Sequence, residues 1–210
     1  YSDIIVIRHP MEGAARYVSE QVDVPVVNAG DGANQHPTQS LLDLYTIQKS
    51  QGTLKGLKLA LVGDLKYGRT VHSLAYALAP FKPEFHFVSP KSLGMPPHIL
   101  SDLRKMNIQF KETKKLDKIV SDIDIMYVTR IQRERFPDRE EYEKVKNAYI
   151  ITADLLENAK DNLKVMHPLP RVNEITTDVD STKYAYYFDQ AENGVYMRQA
   201  ILATLLGEAK

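Results

Sequence analysis

The sequence predicts an α/β fold of two lobes, each with a parallel sheet flanked by helices, the first lobe being incomplete in this chain. Short apolar, β-branched runs alternate with segments of helical period along the chain. Most of the short runs are apolar at every position, which is typical of parallel strands buried on both faces. Because ligands of such folds bind at the carboxyl ends of the strands, polar residues there are the first candidates for a functional site.

The predicted strands are the runs rich in Val, Ile and Leu, and they cover 3–7, 24–27, 57–62, 84–88, 123–128, 149–151 and 164–166. The segments between them repeat apolar residues at helical spacing. In the last of these, Ile201, Leu202, Leu205 and Leu206 share one side. The predicted helices cover 12–20, 37–51, 70–80, 96–106, 114–120, 141–146, 153–159 and 190–206.

A polar, glycine-bearing stretch, QKSQGTLKGLK at 48–58, is the best candidate for a domain boundary. We therefore expect a partial first lobe with a crossing helix at 1–50 and a second lobe at 51–187. The final helix, within 188–210, is expected to return to the first lobe. The chain opens directly on a strand-like run, YSDIIVIRHP, so we expect it to be a piece of a longer chain.

Composition places the chain among ordinary globular proteins, with 43% hydrophobic and 26% charged residues. The 27 basic residues balance 27 acidic ones, so no net charge favours binding to nucleic acid or to an anionic membrane. No apolar run reaches membrane-spanning length. The sequence has no cysteine, which excludes disulfides and thiolate metal sites and fits a reducing compartment such as the cytoplasm.

Unusual polar residues follow several predicted strands. Arg8 lies in VIRHP, directly after the first, and the loop NAGDGANQHPTQS carries His36 and Gln39 at the start of a helix. Arg69 lies in LVGDLKYGRTVHS, also where a helix begins. Each of these residues alone is compatible with a plain surface or helix-start role. The stretch GDLKYGRT superficially resembles a nucleotide-binding loop, but it lacks both the P-loop lysine and the G-x-G-x-x-G pattern.

Two further clusters complete the set. In VTRIQRER, Arg130 and Gln132 alternate after a strand and are expected to point the same way. In KVMHPLPRVNEI at 164–175, Pro168 and Pro170 restrict the backbone on both sides of a leucine. Taken together, arginines, glutamines and a histidine at strand ends favour an anionic, carboxylate-rich substrate, because arginine binds carboxylate or phosphate through paired hydrogen bonds.

The motifs HPTQ, DLKYGRTVHS, TRIQRER and HPLPRVNEI, in this order, resemble the catalytic chain of the aspartate carbamoyltransferase family, over its C-terminal two-thirds. That family transfers the carbamoyl group of carbamoyl phosphate to the amine of L-aspartate in pyrimidine biosynthesis. The sister family, which acts on ornithine, typically has cysteine at the positions of Thr38 and Pro168. This chain has no cysteine, so both positions favour aspartate.

For carbamoyl phosphate, the resemblance implies contacts from Arg8 and His36, with His36 on the carbonyl oxygen. Gln39 would hold the carbamoyl amino group. The main-chain carbonyls of Pro168 and Leu169 would face the carbamoyl nitrogen and the incoming amine. In the family the bond that corresponds to Leu169–Pro170 is cis.

For aspartate, the resemblance implies that Arg69 binds the α-carboxylate and that Arg130 with Gln132 binds the β-carboxylate. Glu134 would orient Arg130, and Arg171 would support the site without contacting the substrate. The chemistry requires no metal or organic cofactor. The resemblance further implies a cytoplasmic homotrimer with sites between chains, in many cases bound to regulatory chains.

Two departures qualify the resemblance. The phosphate-binding Ser-Thr-Arg-Thr-Arg motif and Ser…Lys loop of the family belong before Tyr1, so residues 1–210 alone are expected to be inactive. Asn173 stands where the family has aspartate. The alternatives are a non-catalytic homologue acting as a scaffold, or a carbamoyltransferase for another amino acid.

Overall fold

The structure is a computed structural model that describes residues 1–32, 34–131, 133, 136 and 138–208. In this part of the chain, strands and helices alternate as expected. The strands are β1 (Ile5–His9), β2 (Val26–Asp31), β3 (Lys58–Val62), β4 (Glu84–Val88), β5 (Gln109–Thr113), β6 (Ile125–Val128) and β7 (Lys164–Met166). The helices are α1 (Ala14–Ser19), α2 (Pro37–Gln51), α3 (Arg69–Leu78), α4 (Pro97–Lys105), α5 (Arg139–Val145) and α6 (Tyr187–Leu205).

The larger sheet has five strands in the order β5-β4-β3-β6-β7, and its paired strands are parallel. The central strand β3 is apolar on both faces. Leu59 and Leu61 belong to one apolar cluster, whereas Ala60 and Val62 belong to another on the opposite face. All four side chains are fully buried, so the prediction of strands buried on both faces is confirmed for this sheet.

The smaller sheet pairs β1 with β2 in parallel, with Ile5 opposite Val26 and Ile7 opposite Asn28. Its β1 strand is more exposed than the sequence suggests, and Val6 is 57% exposed. Helix α2 leads from this sheet to the larger one. It begins at Pro37, where a missing N–H costs nothing, and it ends before Gly52, whose φ of 73° suits a left-handed helix end.

Three local predictions are wrong, and one strand was missed. The segment 114–120 forms turns rather than a helix, because only isolated hydrogen bonds such as Ile119 N to Leu116 O close, too few to propagate a helix. The helix predicted at 153–159 is a single 3-10 turn, Asp154–Leu156. The strand predicted at 149–151 contributes one bridge, between Ile151 and Ile175. Strand β5 was not predicted, because it lies at the sheet edge and alternates polar residues with Phe110.

Helix α6 packs along α2 through buried polar contacts. The Asp43 side chain is completely buried, and its Oδ1 accepts hydrogen bonds from Gln39 Nε2 (2.9 Å) and Gln190 Nε2 (2.7 Å). Its Oδ2 accepts from the hydroxyl of Tyr127 on β6 (2.8 Å). Burial raises the pKa of Asp43 to about 7 against the opposing effect of these hydrogen bonds. One carboxylate therefore links two helices to the larger sheet.

The described helices include none that is both long and apolar enough to cross a membrane. The boundaries expected after residues 50 and 187 stay a prediction.

The raised pKa of Asp43 predicts a pH dependence of stability. Between about pH 4 and pH 7 the folded protein holds a proton at Asp43 that the unfolded chain, with a pKa of 3.8, has released. The contribution of Asp43 to the free energy of unfolding therefore falls as pH rises, with a limiting slope of about 1.4 kcal/mol per pH unit. Urea unfolding should show D43N gaining stability relative to wild type from pH 4 to 7. If the difference in free energy of unfolding between D43N and wild type stays constant with pH, Asp43 is ionised throughout this range.

Candidate active site

A cavity of about 630 Å³ opens at the carboxyl ends of β3, β6 and β7, beside the first turn of α2. Its lining is mostly polar and includes Arg8 from the smaller sheet and residues that directly follow strands of the larger sheet. The described residues that line it are Arg8, His36, Gln39, Asp64, Tyr67, Gly68, Arg69, Thr70, Thr129, Arg130, His167, Pro168, Leu169, Pro170 and Arg198. The cavity therefore gathers seven of the residues to which the sequence analysis gave a role in the site: Arg8, His36, Gln39, Arg69, Arg130, Pro168 and Leu169. Gln132 and Glu134 lie outside the described residues.

Four arginines from four different elements line the cavity: Arg8 on β1, Arg69 at the start of α3, Arg130 after β6 and Arg198 on α6. They give the cavity a positive field although the whole chain has a formal charge of zero. Arg198 was missed in the sequence, because a single arginine inside a long helix carries no local motif. Its Nη1 donates to the carbonyl of Gly194, one turn earlier (3.0 Å).

Arg69 is seated against the loop that follows β2. Its Nη1 donates to the carbonyl oxygen of Gly32 at 2.6 Å. Its guanidinium also lies against Gly30, where a Cβ would come within 2.8 Å of Nη2. Gly30 has a φ of 118°, a conformation that side chains disfavour. This glycine therefore provides both the turn and the space that Arg69 occupies.

Asp31 organises the same loop. Its carboxylate accepts hydrogen bonds from the Asn28 and Asn34 side chains and from the N–H groups of Gly13 and Gln35. Burial by itself raises the pKa of Asp31, but these hydrogen bonds lower it to about 2. An ionised Asp31 thus holds the loop that leads to His36.

His36 directly precedes α2 and lies beside the arginines. Burial and the charges of Arg69, Arg8 and Arg198 lower its pKa to about 4. The ring is therefore neutral near pH 7, and its Nδ1 is buried without a hydrogen bond in the described part of the chain. A neutral imidazole can donate one hydrogen bond to a developing oxyanion, while the neighbouring arginines supply positive charge.

The loop after β7 is fixed by His167. Its main-chain N–H donates to Gln190 Oε1 (2.8 Å), and its Nδ1 accepts from the N–H of Leu169 (2.8 Å). The proton of the neutral ring is therefore on Nε2, which lies 2.7 Å from Glu174 Oε1. Burial alone raises the pKa of Glu174, but the hydrogen bond from His167 contributes to lowering it below its ordinary value.

The same loop contains the cis bond that the resemblance implies, between Leu169 and Pro170, and Leu169 has a φ of 48°. The anchoring contacts use ring atoms and N–H groups, which leaves the main-chain carbonyls of Pro168 and Leu169 for the cavity that both residues line. The loop can therefore offer fixed hydrogen-bond acceptors.

Arg171 does not line the cavity. Its guanidinium pairs with Asp180 and donates to the Tyr187 hydroxyl at the start of α6 (3.0 Å). These contacts raise the pKa of Arg171. Arg171 thus attaches the end of the loop after β7, residues 167–171 and here called the prolyl loop, to α6, and any effect it has on the cavity is indirect.

Acidic side chains that could bind a metal are sparse here. No group of three or more His, Cys, Asp or Glu residues with metal-binding geometry occurs among the described residues. Asp64, at 1% exposure, is the acidic residue of the cavity lining, and its Oδ1 accepts from the N–H groups of Lys66 and Tyr67. The arrangement as a whole is suited to binding anions and to stabilising negative charge.

Two protein-family profiles match the chain. "Aspartate/ornithine carbamoyltransferase, carbamoyl-P binding domain" matches residues 1–49, and "Aspartate/ornithine carbamoyltransferase, Asp/Orn binding domain" matches residues 55–205. The aspartate carbamoyltransferase catalytic subunit of Bacteroides fragilis is 58% identical over 208 residues, which are 99% of this chain and 68% of the relative. That of Methanopyrus kandleri is 57% identical over 208 residues, covering 99% and 67%.

Solved structures give the same result. The catalytic subunit of M. jannaschii aspartate transcarbamoylase superimposes with a TM-score of 0.92 at 56% identity, over 99% of this chain and 68% of the other. Aspartate transcarbamoylase from Trypanosoma cruzi in complex with carbamoyl phosphate and aspartate gives 0.90 at 40% identity, over 96% and 66%. The predicted α/β fold with parallel sheets is confirmed.

The neutral state of His36 can be tested by titration. Because burial and three arginines oppose protonation, its side-chain NMR signals should titrate near pH 4 rather than near the ordinary value of 6.5. The variant H36Q identifies the signals by their loss. Replacing Arg69 by glutamine should move the midpoint upward, since one opposing charge is removed. A wild-type midpoint near 6.5 would contradict the electrostatic account of the cavity.

Proposed function

Since the chain belongs to the aspartate/ornithine carbamoyltransferase family, we propose that its cavity transfers the carbamoyl group of carbamoyl phosphate to the amine of L-aspartate. The products are N-carbamoyl-L-aspartate and phosphate, and the reaction serves pyrimidine biosynthesis. The observation that supports this most strongly is that four described arginines and a neutral histidine line one cavity at the carboxyl ends of the strands.

The reaction is an attack of the aspartate amine nitrogen on the carbamoyl carbon. A C–N bond forms, the carbonyl oxygen becomes negative in a tetrahedral intermediate, and the C–O bond to phosphate then breaks. Phosphate leaves with the electron pair of that bond and takes up the one proton that the amine gives up. The protein must therefore hold two anions together and stabilise an oxyanion, which positioning and electrostatics can achieve.

We assign the carbamoyl group to the side of the cavity formed by α2 and the prolyl loop. His36 donates to the carbonyl oxygen and Arg8 adds positive charge close by, consistent with the effect of Arg8 on the pKa of His36. Gln39 and the main-chain carbonyls of Pro168 and Leu169 accept hydrogen bonds from the carbamoyl amino group. This set distinguishes the amino group from the carbonyl oxygen, because acceptors face one and donors face the other.

We assign aspartate to Arg69 and Arg130, one for each carboxylate, with Gln132 and Glu134 in the supporting roles implied by the resemblance. An arginine forms two parallel hydrogen bonds with a carboxylate, so two arginines at a fixed separation select a dicarboxylate. Ornithine presents one carboxylate and a cationic side chain. That cation would face the arginines of the cavity, and the like charges would repel it.

The assembly that we propose is a cytoplasmic homotrimer with its sites between neighbouring chains, as the resemblance implies. A site between chains agrees with the exposure of Arg8, which lines the cavity. The proposal includes binding of the trimer to regulatory chains.

The substrate assignment predicts the behaviour of R130A in the full-length protein. Loss of one paired carboxylate contact costs about 1.5–3 kcal/mol, so the KM for aspartate should rise at least about tenfold. The KM for carbamoyl phosphate should change much less. Formation of N-carbamoyl-L-aspartate is the measurement, and ornithine should give no product with wild type.

R16A is a matched control, because Arg16 is an exposed arginine paired with Glu20 on α1 and does not line the cavity. Its kinetics should equal those of wild type. An unchanged aspartate dependence in R130A would refute the assignment of aspartate to this arginine.

A further inference from the structure

The buried carboxylate of Asp43 has no part in the reaction described above, yet it contacts groups that do. It is 0% exposed and does not line the cavity. The two glutamine amides on its Oδ1 come from opposite sides, Gln39 from its own helix and Gln190 from α6. Two hydrogen-bonded paths therefore connect Asp43 to the carbamoyl-binding side of the cavity, one through Gln39 and the other through Gln190.

The first path sets the orientation of the Gln39 amide. A glutamine side chain can present either its nitrogen or its oxygen, and the two orientations have nearly the same shape. An Oδ1 that carries no proton can only accept, so Gln39 Nε2 must face Asp43, as the 2.9 Å distance indicates. The Gln39 carbonyl oxygen is then the group left for the cavity, where the carbamoyl amino group needs an acceptor.

The second path reaches the prolyl loop. Asp43 accepts from Gln190 Nε2, so Gln190 Oε1 is turned towards the main-chain N–H of His167, at 2.8 Å. His167 in turn accepts from the N–H of Leu169. A reversed Gln190 amide would place its NH2 group against the N–H of His167, and two donors would then face each other. The orientation fixed by Asp43 therefore holds the start of the loop.

Neither path depends on the charge of Asp43. Both glutamines use Oδ1, whereas in the described part of the chain the hydrogen-bond partner of Oδ2 is the Tyr127 hydroxyl. A proton on Oδ2 would reverse the direction of the Tyr127 bond and leave Oδ1 accepting from both glutamines. An asparagine at this position can reproduce that arrangement, with its NH2 group donating to the Tyr127 oxygen.

We propose that Asp43 is a positioning residue for the carbamoyl group, which fixes the Gln39 amide and, through Gln190, the loop that carries Pro168 and Leu169. Both sets of acceptors for the carbamoyl amino group are thereby oriented by one oxygen atom. The proposal rests on the proposed function, because it assigns no new substrate and explains how the acceptors are set.

A purely structural role would make Asp43 comparable to a second buried polar contact between the same helices. One turn further along α2, Thr46 Oγ1 accepts from Asn193 Nδ2 at 3.2 Å, and both residues are buried. Neither Thr46 nor Asn193 lines the cavity. T46V is therefore the matched control for loss of a buried α2–α6 hydrogen bond.

The test compares D43A, D43N, Q39A and T46V with wild type in the full-length protein, by steady-state kinetics at pH 7. In D43A the KM for carbamoyl phosphate should rise about tenfold, while the KM for aspartate changes less than about threefold. D43N should stay within about threefold of wild type for both substrates, and T46V should show no kinetic change. Q39A should resemble D43A, and the double variant Q39A/D43A should add little to Q39A.

The proposal is overturned if D43A changes both KM values equally, if D43N behaves like D43A, or if T46V reproduces the effect. Should D43A fail to fold, Q190L replaces it, since it removes only the path to His167 and should raise the KM for carbamoyl phosphate about threefold. An active wild type with an impaired Q39A and a normal D43A refutes the positioning role alone. A wild type that forms no N-carbamoyl-L-aspartate refutes the proposed function as well.

Discussion

The rest of the structure depends on the need to satisfy one buried carboxylate. Asp43 is removed from solvent, and a buried acceptor without partners costs several kcal/mol. Its three donors, Gln39, Gln190 and Tyr127, come from α2, α6 and β6. These elements are far apart in sequence, since Asp43 and Gln190 are separated by 147 positions. Satisfying the carboxylate therefore fixes the helix that follows His36 and the helix that carries Arg198 against the larger sheet.

Arginines line the cavity at the strand ends and make it strongly positive, although the chain as a whole has a formal charge of zero. The arginines have two effects there. They attract anionic substrates, and together with burial they keep His36 in its neutral form. In the proposed reaction, the developing negative charge would be met by a hydrogen bond from neutral His36 and by fixed cations, and no proton transfer from His36 would be required. The position of Arg69 also depends on Gly30, because any side chain at residue 30 would displace the Arg69 guanidinium.

Sequence patterns predicted the parts of the molecule that are locally encoded. The bounds of α2 follow from Pro37 and Gly52, and the apolar strands follow from burial on both faces. The edge strand β5 was missed because exposure removes its apolar signature. Motifs likewise located the cavity residues, but Asp43 and Arg198 were missed, since their roles arise from contacts between distant segments. The assignments of Gln132 and Glu134 stay predictions, as these residues lie outside the described part of the chain.

The central claim is that one cavity holds the carbamoyl group against His36 and aspartate against Arg69 and Arg130. A crystal structure of the full-length protein with N-(phosphonacetyl)-L-aspartate, a compound bound in one T. cruzi structure, tests it most directly. The account predicts the amide carbonyl oxygen of the compound about 3 Å from a ring nitrogen of His36, with one carboxylate on each of the two arginines. A compound bound with its phosphonate on Arg130, or bound outside the cavity, would contradict the account.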